Sequence, residues 1–523
     1  MRSGLLCGVL LAGSAALWGQ PTVLNYRSSV DGSEQPYALY LPKPLDRARK
    51  YPLVIGLHEE DSNHAVQLRH LFGLPTRYGE TGLQILTTFP PMREVDYIVA
   101  CPFARGTMGY QGIAERDVYD VMSEVKGRYP VDEDRVYLTG SSMGGGGALW
   151  LALTRPDVWA AVAPVCAATI PGTEELAGNA RNFPVRLYHG ELDPAVPAES
   201  SRQWQRRLLD AGVAADYTEF PGVRHNAWDV AYRNGAIFEW LGKFKRDRNP
   251  DHVHLATRWA QYNAAYWARI DGFAPGALAT IDAVRNGAEI RVQTKDVDGF
   301  TLTATARTVL VDGAAIRLRP GAALSFAKSN GKWTQGAPHA ALPYGPVVEA
   351  VNVRHIYVYG ADDEQGRRNA QAAAAWSTAR VRINLTLPVK ADRDVTEDDV
   401  ASANLVLFGT AQTNRLIARF AANLPLALNA GAADYGLLSV AAVGKRLVLV
   451  SSGLPWWTGA DEARRGGPRF APEQYRLLST FGDYILFKGS LANVLAEGRY
   501  GRDGKVPAEA AAKLQAAGTV TVR

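Results

Sequence analysis

Short apolar runs and segments with helical spacing alternate along the first half of the chain. The runs, which are typical of β-strands, are YALYLP, PLVIGLH, DYIVACP, DRVYLTG, WAAVAPVC, VRLYHG and ADYTEFPG. The segments between them with helical spacing are ERDVYDVMSEVKGRY, GALWLALTRPD, SSRQWQRRLLDAG and NGAIFEWLGKF. Strands that alternate with helices form a sheet covered by helices. Residues 21–245 are therefore predicted to be an α/β domain with a mostly parallel sheet.

The pattern changes after the polar stretch KRDRNPDH, which runs from Lys245 to His252 and suits a linker. Beyond it, apolar and polar residues alternate, as in ATIDAVRNGAEIRVQTKDV and ALSFAKSNGKWTQG. Asn286-Gly287 and Asn330-Gly331 are typical of tight hairpin turns. Residues 250–340 are predicted to form a small antiparallel β-domain, a kind that more often serves packing or recognition than chemistry.

Strand-like and helical segments alternate again between residues 345 and 523. The apolar runs are HIYVYGA, ARVRINLTL, NLVLFGT, RLVLVSSG and YILFKG, and helical segments such as EQGRRNAQAAAAWSTA and NRLIARFAANL separate them. No glycine-rich phosphate motif follows these runs, so nucleotide binding has no support. We predict a second α/β domain whose role the pattern does not define.

The first residues of the chain, MRSGLLCGVLLAGSAALWGQ, combine Arg2, an apolar run from Leu5 to Leu17 and small residues at the end. This combination is typical of a secretory signal peptide. A buried helix or a membrane anchor is the alternative, but the run is short for a bilayer and no later stretch is long enough to span one. We expect residues 1–20 to be a signal peptide and the protein to be secreted or periplasmic, with no membrane span.

Composition excludes some classes of function. The chain has 523 residues, of which 47% are apolar and 21% charged, and this is ordinary for a folded protein of two or three domains. The net charge of +5 is small for this length, and no basic block is interleaved with aromatic residues. We therefore expect no nucleic-acid partner, whereas the oligomeric state stays open.

Two cysteines remain once the predicted signal peptide is removed. Cys101 and Cys166 follow apolar runs that we place in strands separated by two others. At about 4.8 Å per strand, this separation is too wide for a disulfide. We expect two buried thiols.

The stretch VYLTGSSMGGGGALW contains the pattern G-x-S-x-G between a predicted strand and a predicted helix. That pattern is typical of a nucleophile elbow, in which a serine occupies a sharp turn and its neighbours are nearly devoid of side chain. Ser142 has Gly140 and Gly144 two residues away on its two sides, whereas Ser141 has no glycine at either position. Ser142 is the predicted nucleophile.

A serine hydroxyl needs an adjacent base, which a carboxylate orients. VRLYHGELDPAVP offers Asp193 just past a predicted strand, and FPGVRHNAWDV offers His225 in the loop before the last helix of the first domain. Loops at the carboxyl edge of a parallel sheet converge, and Ser142 is presented there too. Asp193 and His225 are therefore the predicted acid and base. Asp229 competes as the acid, but the dipole of the following helix accounts for a carboxylate in its first turn.

Histidines and carboxylates cluster in HEEDSNH, from His58 to His64. Its carboxylates are adjacent in sequence rather than on one face of a helix, which is not the spacing of a metal site. We expect no metal ion and no cofactor.

Attack on a carbonyl creates an oxyanion that two N–H groups must stabilise. The backbone amide of Met143 is the first predicted donor, and that of Glu59 or Glu60 is the second. A carboxylate this close to developing negative charge is unfavourable unless it points into solvent or meets a cation. The side chains predicted to line the substrate pocket, or alternatively to pack in the core, are Trp228, Trp150, Met108 and Tyr110.

From about Leu24 to Phe244 the chain resembles the secreted α/β-hydrolase esterases, which include feruloyl and acetylxylan esterases, polyhydroxybutyrate depolymerases and prolyl-oligopeptidase-like relatives. The blocks that carry the resemblance are DGSEQPYALYLP, YPLVIGLH, AERDVYDVMSEVKGRYPVDEDRVYLTGSSMGGGGALWLALTRPDVWAAVAPVC, HGELDPAVP and PGVRHNAWD. The resemblance implies an α/β-hydrolase fold with Ser142, Asp193 and His225 as nucleophile, acid and base. Where the family usually has His-Gly, this chain has His58-Glu59-Glu60, which bears on the second oxyanion donor.

We expect an exported serine hydrolase that cleaves carboxylic esters, including feruloyl and other acyl esters linked to polysaccharide. A prolyl-oligopeptidase-like peptidase is the first alternative, although only a short segment precedes the first predicted strands where such enzymes carry a propeller. The second alternative is a non-catalytic carbohydrate- or polymer-binding protein with a degenerate hydrolase domain. Glu59 and Glu60 favour it, and the intact Ser142, Asp193 and His225 speak against it.

Overall fold

The structure is a computed structural model that describes residues 21–75, 80–337, 345–375, 385–429, 431–463, 473–516 and 518–523. The predicted signal peptide and most of the predicted strand ARVRINLTL lie outside the described residues. Within them, no helix combines the length and the apolar character needed to cross a membrane.

The first sheet has eight strands in the order β1-β2-β4-β3-β5-β6-β7-β8. Their bounds are β1 (Thr22–Arg27), β2 (Glu34–Tyr40), β3 (Tyr51–Leu57), β4 (Ile98–Pro102), β5 (Val131–Ser141), β6 (Ala161–Val165), β7 (Val185–Gly190) and β8 (Ala215–Phe220). Strands β3 to β8 run parallel to one another, whereas β2 pairs antiparallel with both β1 and β4 at one edge. The mostly parallel sheet predicted from the alternating pattern is confirmed.

Helices cover both faces of this sheet. They are α1 (His64–Leu71), α2 (Gly82–Thr87), α3 (Ile113–Arg128), α4 (Met143–Thr154), α5 (Glu199–Asp210), α6 (Trp228–Ala231) and α7 (Ala236–Leu241). Residues of α3, α4 and α5 enter one core cluster, and residues of α1 and α7 enter a second. The hydrophobic pattern did not predict α1, because its polar residues are buried along with its apolar ones.

The two cysteines lie on different strands, as predicted. Cys101 is in β4 and Cys166 directly follows β6, with β3 and β5 between these strands. Both are free and buried, which confirms the expectation of two buried thiols.

The middle part of the chain folds into two five-stranded sheets that share one core, in the orders β10-β11-β14-β17-β18 and β16-β15-β13-β12-β9. Neighbouring strands are antiparallel except β13 and β15, which run parallel. The bounds are β9 (His252–Thr257), β10 (Ala264–Ala265), β11 (Ala268–Phe273), β12 (Ala279–Asn286), β13 (Glu289–Lys295), β14 (Val297–Leu302), β15 (Thr308–Val311), β16 (Ala314–Ile316), β17 (Leu324–Ser329) and β18 (Lys332–Gln335).

The two predicted hairpin turns differ in register. Asn330 and Gly331 form the turn between β17 and β18, with left-handed φ values of 49° and 77°. Between β12 and β13, the paired residues are Asn286 and Glu289, so the turn lies one residue later than predicted, at Gly287 and Ala288.

The last part of the chain carries a seven-stranded sheet in the order β20-β19-β21-β24-β23-β25-β26 and a separate pair, β22-β27. The first four strands are parallel and the last three antiparallel. The strands are β19 (His355–Tyr359), β20 (Val389–Ala391), β21 (Asn404–Phe408), β22 (Leu426–Leu428), β23 (Tyr435–Val443), β24 (Arg446–Gly453), β25 (Tyr484–Lys488), β26 (Val494–Gly498) and β27 (Val520–Val522). The helices are α8 (Glu364–Ala374), α9 (Glu397–Ser402), α10 (Arg415–Arg419), α11 (Ala460–Ala463), α12 (Glu473–Leu478) and α13 (Ala508–Ala516).

The three parts of the chain are joined by buried contacts. Asn179, which precedes β7, exchanges hydrogen bonds with the backbone of Ala256 in β9, at 2.9 and 2.7 Å. The amide of Thr386 donates to Asp31 at 2.9 Å. One core cluster includes residues from the first and the last sheet.

Candidate active site

Ser142 stands between the end of β5 and the start of α4 in a conformation that costs energy. Its φ of 52° and ψ of −113° are rare for a residue with a side chain, and such conformations cost on the order of 1–3 kcal/mol. Surrounding backbone bonds hold it there: its amide donates to the carbonyl of Val165 at 2.9 Å, and its carbonyl accepts from the amides of Gly146 and Ala168 at 3.0 Å. The hydroxyl is thereby held at the carboxyl edge of the sheet.

The glycines around Ser142 allow backbone to lie directly against backbone. A Cβ on Gly140 would collide with the carbonyl of Gly144, and one on Gly144 would collide with the carbonyl of Leu57. A Cβ on Gly146 would collide with the carbonyl of Ala168. Glycine in the first turn of a helix lowers helix stability by up to about 1 kcal/mol relative to alanine. In return, its lack of a side chain permits this close packing of backbone against backbone.

His225 joins Ser142 to Asp193. Its Nε2 lies 2.9 Å from Ser142 Oγ, and its Nδ1 lies 2.7 Å from Asp193 Oδ2. Asp229, the competing acid, instead accepts a hydrogen bond of 2.7 Å from the side chain of Asn226. The structure therefore brings together the three side chains that the sequence selects and leaves Asp229 apart.

Asp193 is surrounded by donors. Its Oδ1 accepts from the backbone amides of Ala195 and Val196 at 2.8 and 3.0 Å, and its Oδ2 also lies 3.2 Å from His189 Nε2. Burial raises the pKa of Asp193, but the hydrogen bonds from His225 and from the two amides outweigh it, so the pKa lies below its usual value. Asp193 is an anion at neutral pH.

The charge on Asp193 fixes the roles of the two ring nitrogens of His225. An ionised carboxylate is an acceptor without a donor, so the 2.7 Å contact requires a proton on Nδ1. In the neutral ring, Nε2 then has a lone pair directed at Ser142 Oγ. The arrangement can remove a proton from the serine hydroxyl.

The loop that carries His225 is packed from two sides. The thiol of Cys166 donates to the His225 carbonyl at 3.3 Å, and burial raises the pKa of that thiol well above its usual value. The ring of Trp228 lies edge-on to the imidazole, with 5.4 Å between centroids. A Cβ on Gly190 would collide with the carbonyl of Arg224, so the acid and histidine loops are in direct contact.

Three amides near Ser142 are available to bind an oxyanion. Those of Met143, Glu59 and Glu60 donate to no group in the described part of the chain. The ring of His58 contacts the carbonyl oxygens of Glu59 and Phe103, at 2.7 and 2.9 Å. The first contact fixes the peptide between Glu59 and Glu60, and because a trans peptide places its C=O and N–H on opposite sides, it directs the Glu60 N–H away from the His58 ring.

The carboxylate of Glu59 has partners of its own. It accepts a hydrogen bond of 3.1 Å from the hydroxyl of Ser141, and it lies 3.7 Å from Nδ1 of His70, with 14% of its side chain exposed. The ring of His70 stacks on Trp228, which in turn packs against His225. Ser141 and His70 were not predicted as neighbours of the site, because both are buried polar residues that no sequence motif marks.

The four predicted pocket residues separate into different roles. Trp228 lies beside His225 and is partly exposed, as a pocket wall requires. Tyr110 is fully buried and its hydroxyl donates to the His58 carbonyl at 3.0 Å, so it supports the loop that carries Glu59 and Glu60. Met108 is also buried, with 4% exposure.

Trp150 packs in the core, which is one of the two places that the sequence left open for it. Its indole N–H donates to the carboxylate of Glu115 at 2.8 Å, and its ring packs edge-on against Trp259 and Tyr262. Because α4 is buried all round, its hydrophobic pattern gave no information on the direction of each side chain. Trp150 therefore packs against the middle part of the chain.

One group of potential metal ligands occurs among the described residues, and it overlaps the site just described. Ligand atoms of Cys166, Asp193 and His225 lie within 4.8 Å of one another. Asp193 and His225 are already hydrogen-bonded to each other, so this geometry is explained without a metal ion. In HEEDSNH, burial lowers the pKa of His64 to about 3.

A serine on a strand–helix turn, hydrogen-bonded through histidine to an aspartate at the carboxyl edge of a mostly parallel sheet, defines an α/β-hydrolase. The family model Esterase matches residues 28–208, which include Ser142 and Asp193. This part of the chain resembles the esterases among the α/β-hydrolases, and the match supports a carboxylic ester hydrolase of the serine hydrolase class.

Individual relatives are distant. The chain is 24% identical to "Probable feruloyl esterase C" of Aspergillus niger over 225 residues, which cover 42% of this chain and 76% of that protein. Among solved structures, a thermostable esterase is 26% identical with a TM-score of 0.35, and the match covers 43% of this chain and 63% of the other. A CE1 ferulic acid esterase from Anaeromyces mucronatus is 17% identical with a TM-score of 0.32, over 42% of this chain and 90% of the other.

Proposed function

We propose that the protein is an exported esterase that cleaves carboxylic esters through an acyl-enzyme on Ser142, with His225 as base and Asp193 as acid. The observation that carries the proposal is the hydrogen-bonded series from Ser142 Oγ to His225 Nε2 at 2.9 Å and from His225 Nδ1 to Asp193 Oδ2 at 2.7 Å. Nucleophile, base and orienting carboxylate in this arrangement constitute a catalytic triad.

In the acylation step, His225 Nε2 takes the proton of Ser142 Oγ while the oxygen attacks the ester carbonyl. The tetrahedral oxyanion binds the amide of Met143 and that of Glu60, or alternatively Glu59. Asp193 stabilises the imidazolium that forms. Collapse of the tetrahedral species breaks the bond to the alcohol oxygen, which receives the proton from His225 Nε2.

In the deacylation step, a water molecule replaces the alcohol. His225 takes one of its protons, the resulting hydroxide oxygen attacks the acyl carbonyl, and the proton returns to Ser142 Oγ as the bond to the acyl group breaks. The products are a carboxylic acid and the original serine. In other serine hydrolases, one hydrogen bond to the oxyanion stabilises the transition state by about 3–4 kcal/mol. We expect a similar contribution from the amides of Met143 and Glu60.

The proposed substrates are acyl esters of carbohydrates, including feruloyl esters. The name of the Aspergillus relative, a probable feruloyl esterase, supports this class. Trp228 is the proposed aromatic wall for the acyl group, since it lies beside His225 and is partly exposed. Export is proposed from the composition of residues 1–20.

Hydrolysis of p-nitrophenyl acetate and of feruloylated and acetylated sugars, compared between the wild type and Ser142→Ala, tests the proposal. We expect Ser142→Ala to lower kcat at least 10³-fold, since removal of a triad member leaves little beyond the oxyanion hole. Ser141→Ala is the matched comparison, and we expect it to lower kcat less than tenfold, because that hydroxyl contacts Glu59 and not His225. The proposal fails if the wild type cleaves no ester, if Ser142→Ala is as active as the wild type, or if proline peptides are cleaved and esters are not.

A further inference from the structure

A second cavity, of about 540 Å³, lies where the three parts of the chain meet. The first part contributes Glu115 and Arg116 from α3, and the middle part contributes Tyr262 at the end of a short 3-10 helix. The last part contributes Glu349, Asn352 and Lys445. The volume is within the range of small-molecule sites, roughly 300–1,000 Å³.

This cavity is remote from Ser142. Arg155 lines it and directly follows the last residue of α4, whereas Ser142 directly precedes the first. At 1.5 Å per residue, the two ends of α4 are about 20 Å apart. A molecule in the cavity would therefore not occupy the site that contains His225.

The carboxylate of Glu115 is already hydrogen-bonded. Its Oε2 accepts from the indole N–H of Trp150 at 2.8 Å and from the hydroxyl of Tyr262 at 2.6 Å. Glu349 accepts from the side-chain amide of Gln261 at 2.6 Å, and burial raises its pKa to about 7. The acidic groups of the cavity are thus bound internally or only partly charged near neutral pH.

The cationic groups of the cavity are not matched in the same way. Arg116 and Lys445 line the cavity at its exposed rim, and their side chains make no hydrogen bond or ion pair with the described residues. Arg155 lies 3.8 Å from Glu115, but its Nε is buried and has no hydrogen-bond partner in the described chain. The guanidinium group lies over the rings of Tyr119 and Tyr262, at 5.1 and 5.4 Å from their centroids. A cavity whose cations lack partners favours an anionic ligand.

We propose that this cavity binds a small organic anion that carries a carboxylate, with glucuronate as the probe. Arg155, Arg116 and Lys445 pair with its carboxylate, because a guanidinium group presents donors that match a carboxylate in geometry. The site goes beyond the proposed esterase function and does not depend on it.

Calorimetric titration of the full chain with glucuronate, and with glucose as the uncharged analogue, tests the proposal. We expect saturable binding of glucuronate and at least tenfold weaker binding of glucose. The double variant Arg116→Gln, Lys445→Gln should weaken glucuronate binding at least tenfold. Arg206→Gln, which removes a cation from the exposed surface of α5, should leave it unchanged, and thermal unfolding of each variant checks the fold.

The location of binding is tested by blocking Ser142 with a serine-reactive organophosphonate. Glucuronate binding that persists after the block supports a separate site, and binding that disappears places glucuronate at Ser142 and overturns the proposal. Absence of saturable glucuronate binding, equal binding of glucose, or a double variant with wild-type affinity would each overturn it as well. Since none of these readouts uses ester cleavage, failure here is distinguishable from failure of the proposed esterase function.

Discussion

Asp193, beside the predicted nucleophile, and Glu349, which is partly buried in the wall of the second cavity, have pKa values that move in opposite directions. Burial raises the pKa in both cases. At Asp193, the hydrogen bonds from His225 and from the amides of Val196 and Ala195 outweigh burial and lower the pKa. At Glu349, burial prevails over hydrogen bonds from Asn352 and Gln261 and raises the pKa to about 7.

The difference lies in the donors and in the neighbouring charge. Backbone amides in a turn are fixed before the carboxylate loses its proton, and a histidine that gains a proton adds a positive charge. Glu349 has neutral side-chain amides as donors, and the negative charge of Glu115 raises its pKa further. Asp193 is therefore suited to hold a charge permanently, whereas Glu349 changes its charge near neutral pH.

The largest expected effect comes from removing the charge of Asp193. Asp193→Asn should lower kcat/KM for a p-nitrophenyl ester by about 10³–10⁴-fold, because an amide neither stabilises the imidazolium nor fixes the proton on Nδ1 of His225. Steady-state kinetics measure the loss. Asp229→Asn is the matched control, with an expected change of less than about threefold, since Asp229 contacts Asn226 rather than the base. Equal losses in the two variants would contradict the assignment of the acid.

The contrast between the two carboxylates also shows what sequence patterns can predict. Gly140 and Gly144 identify Ser142 because the steric demand of the turn is local, and strand order then selects Asp193 and His225. The pairing of Glu59 with Ser141 and His70 depends on contacts between distant segments, so the concern that its carboxylate would face the oxyanion could not be resolved from sequence.

Sequence patterns could not predict the second cavity. The residues that line it come from three parts of the chain, and none of them belongs to a sequence motif. The sequence could not decide whether Trp150 lines the pocket or packs in the core for the same reason: its partners Glu115, Trp259 and Tyr262 are distant in sequence. Strands β2 to β8 and helices α3, α4, α5 and α7 of the first part were predicted, because their periodicity is a property of neighbouring residues.

Glu349→Gln is expected to change stability rather than activity. The folded-state pKa of Glu349 is about 7, above the usual 4.5, so the folded state binds the proton more tightly than the unfolded one. Stability contributed by the protonated form is present below about pH 4.5 and is lost as pH rises through about 7, by up to about 3 kcal/mol. The unfolding temperature of the variant minus that of the wild type should therefore be larger at pH 8 than at pH 5.

Thermal unfolding of both proteins at the two pH values measures this gain, since all other titrating groups are common to both. Glu289→Gln provides the control, because that carboxylate pairs with Arg291 in the middle part of the chain and does not line the second cavity. A difference between Glu349→Gln and the wild type that does not change from pH 5 to pH 8 would show that burial does not hold the proton on Glu349.

The smallest expected effect comes from removing one donor at the second cavity. Tyr262→Phe deletes the hydroxyl that lies 2.6 Å from Glu115 and leaves the indole N–H of Trp150 in place. A hydrogen bond to a charged group contributes about 1.5–3 kcal/mol, and the remaining donor reduces the loss to about 1–2 kcal/mol. The loss of stability should be larger at pH 8 than at pH 5, because the deleted hydroxyl stabilises the ionised form of Glu115.

Tyr266→Phe is the control. Its deleted hydroxyl donates to the neutral carbonyl of Pro156 at 3.0 Å, so its loss of stability should not vary with pH. If the loss of stability in Tyr262→Phe does not vary with pH, the hydroxyl contributes packing alone. The hydrogen-bond donors around Glu115 would then not influence its charge, and the contrast with Asp193 would be due to burial.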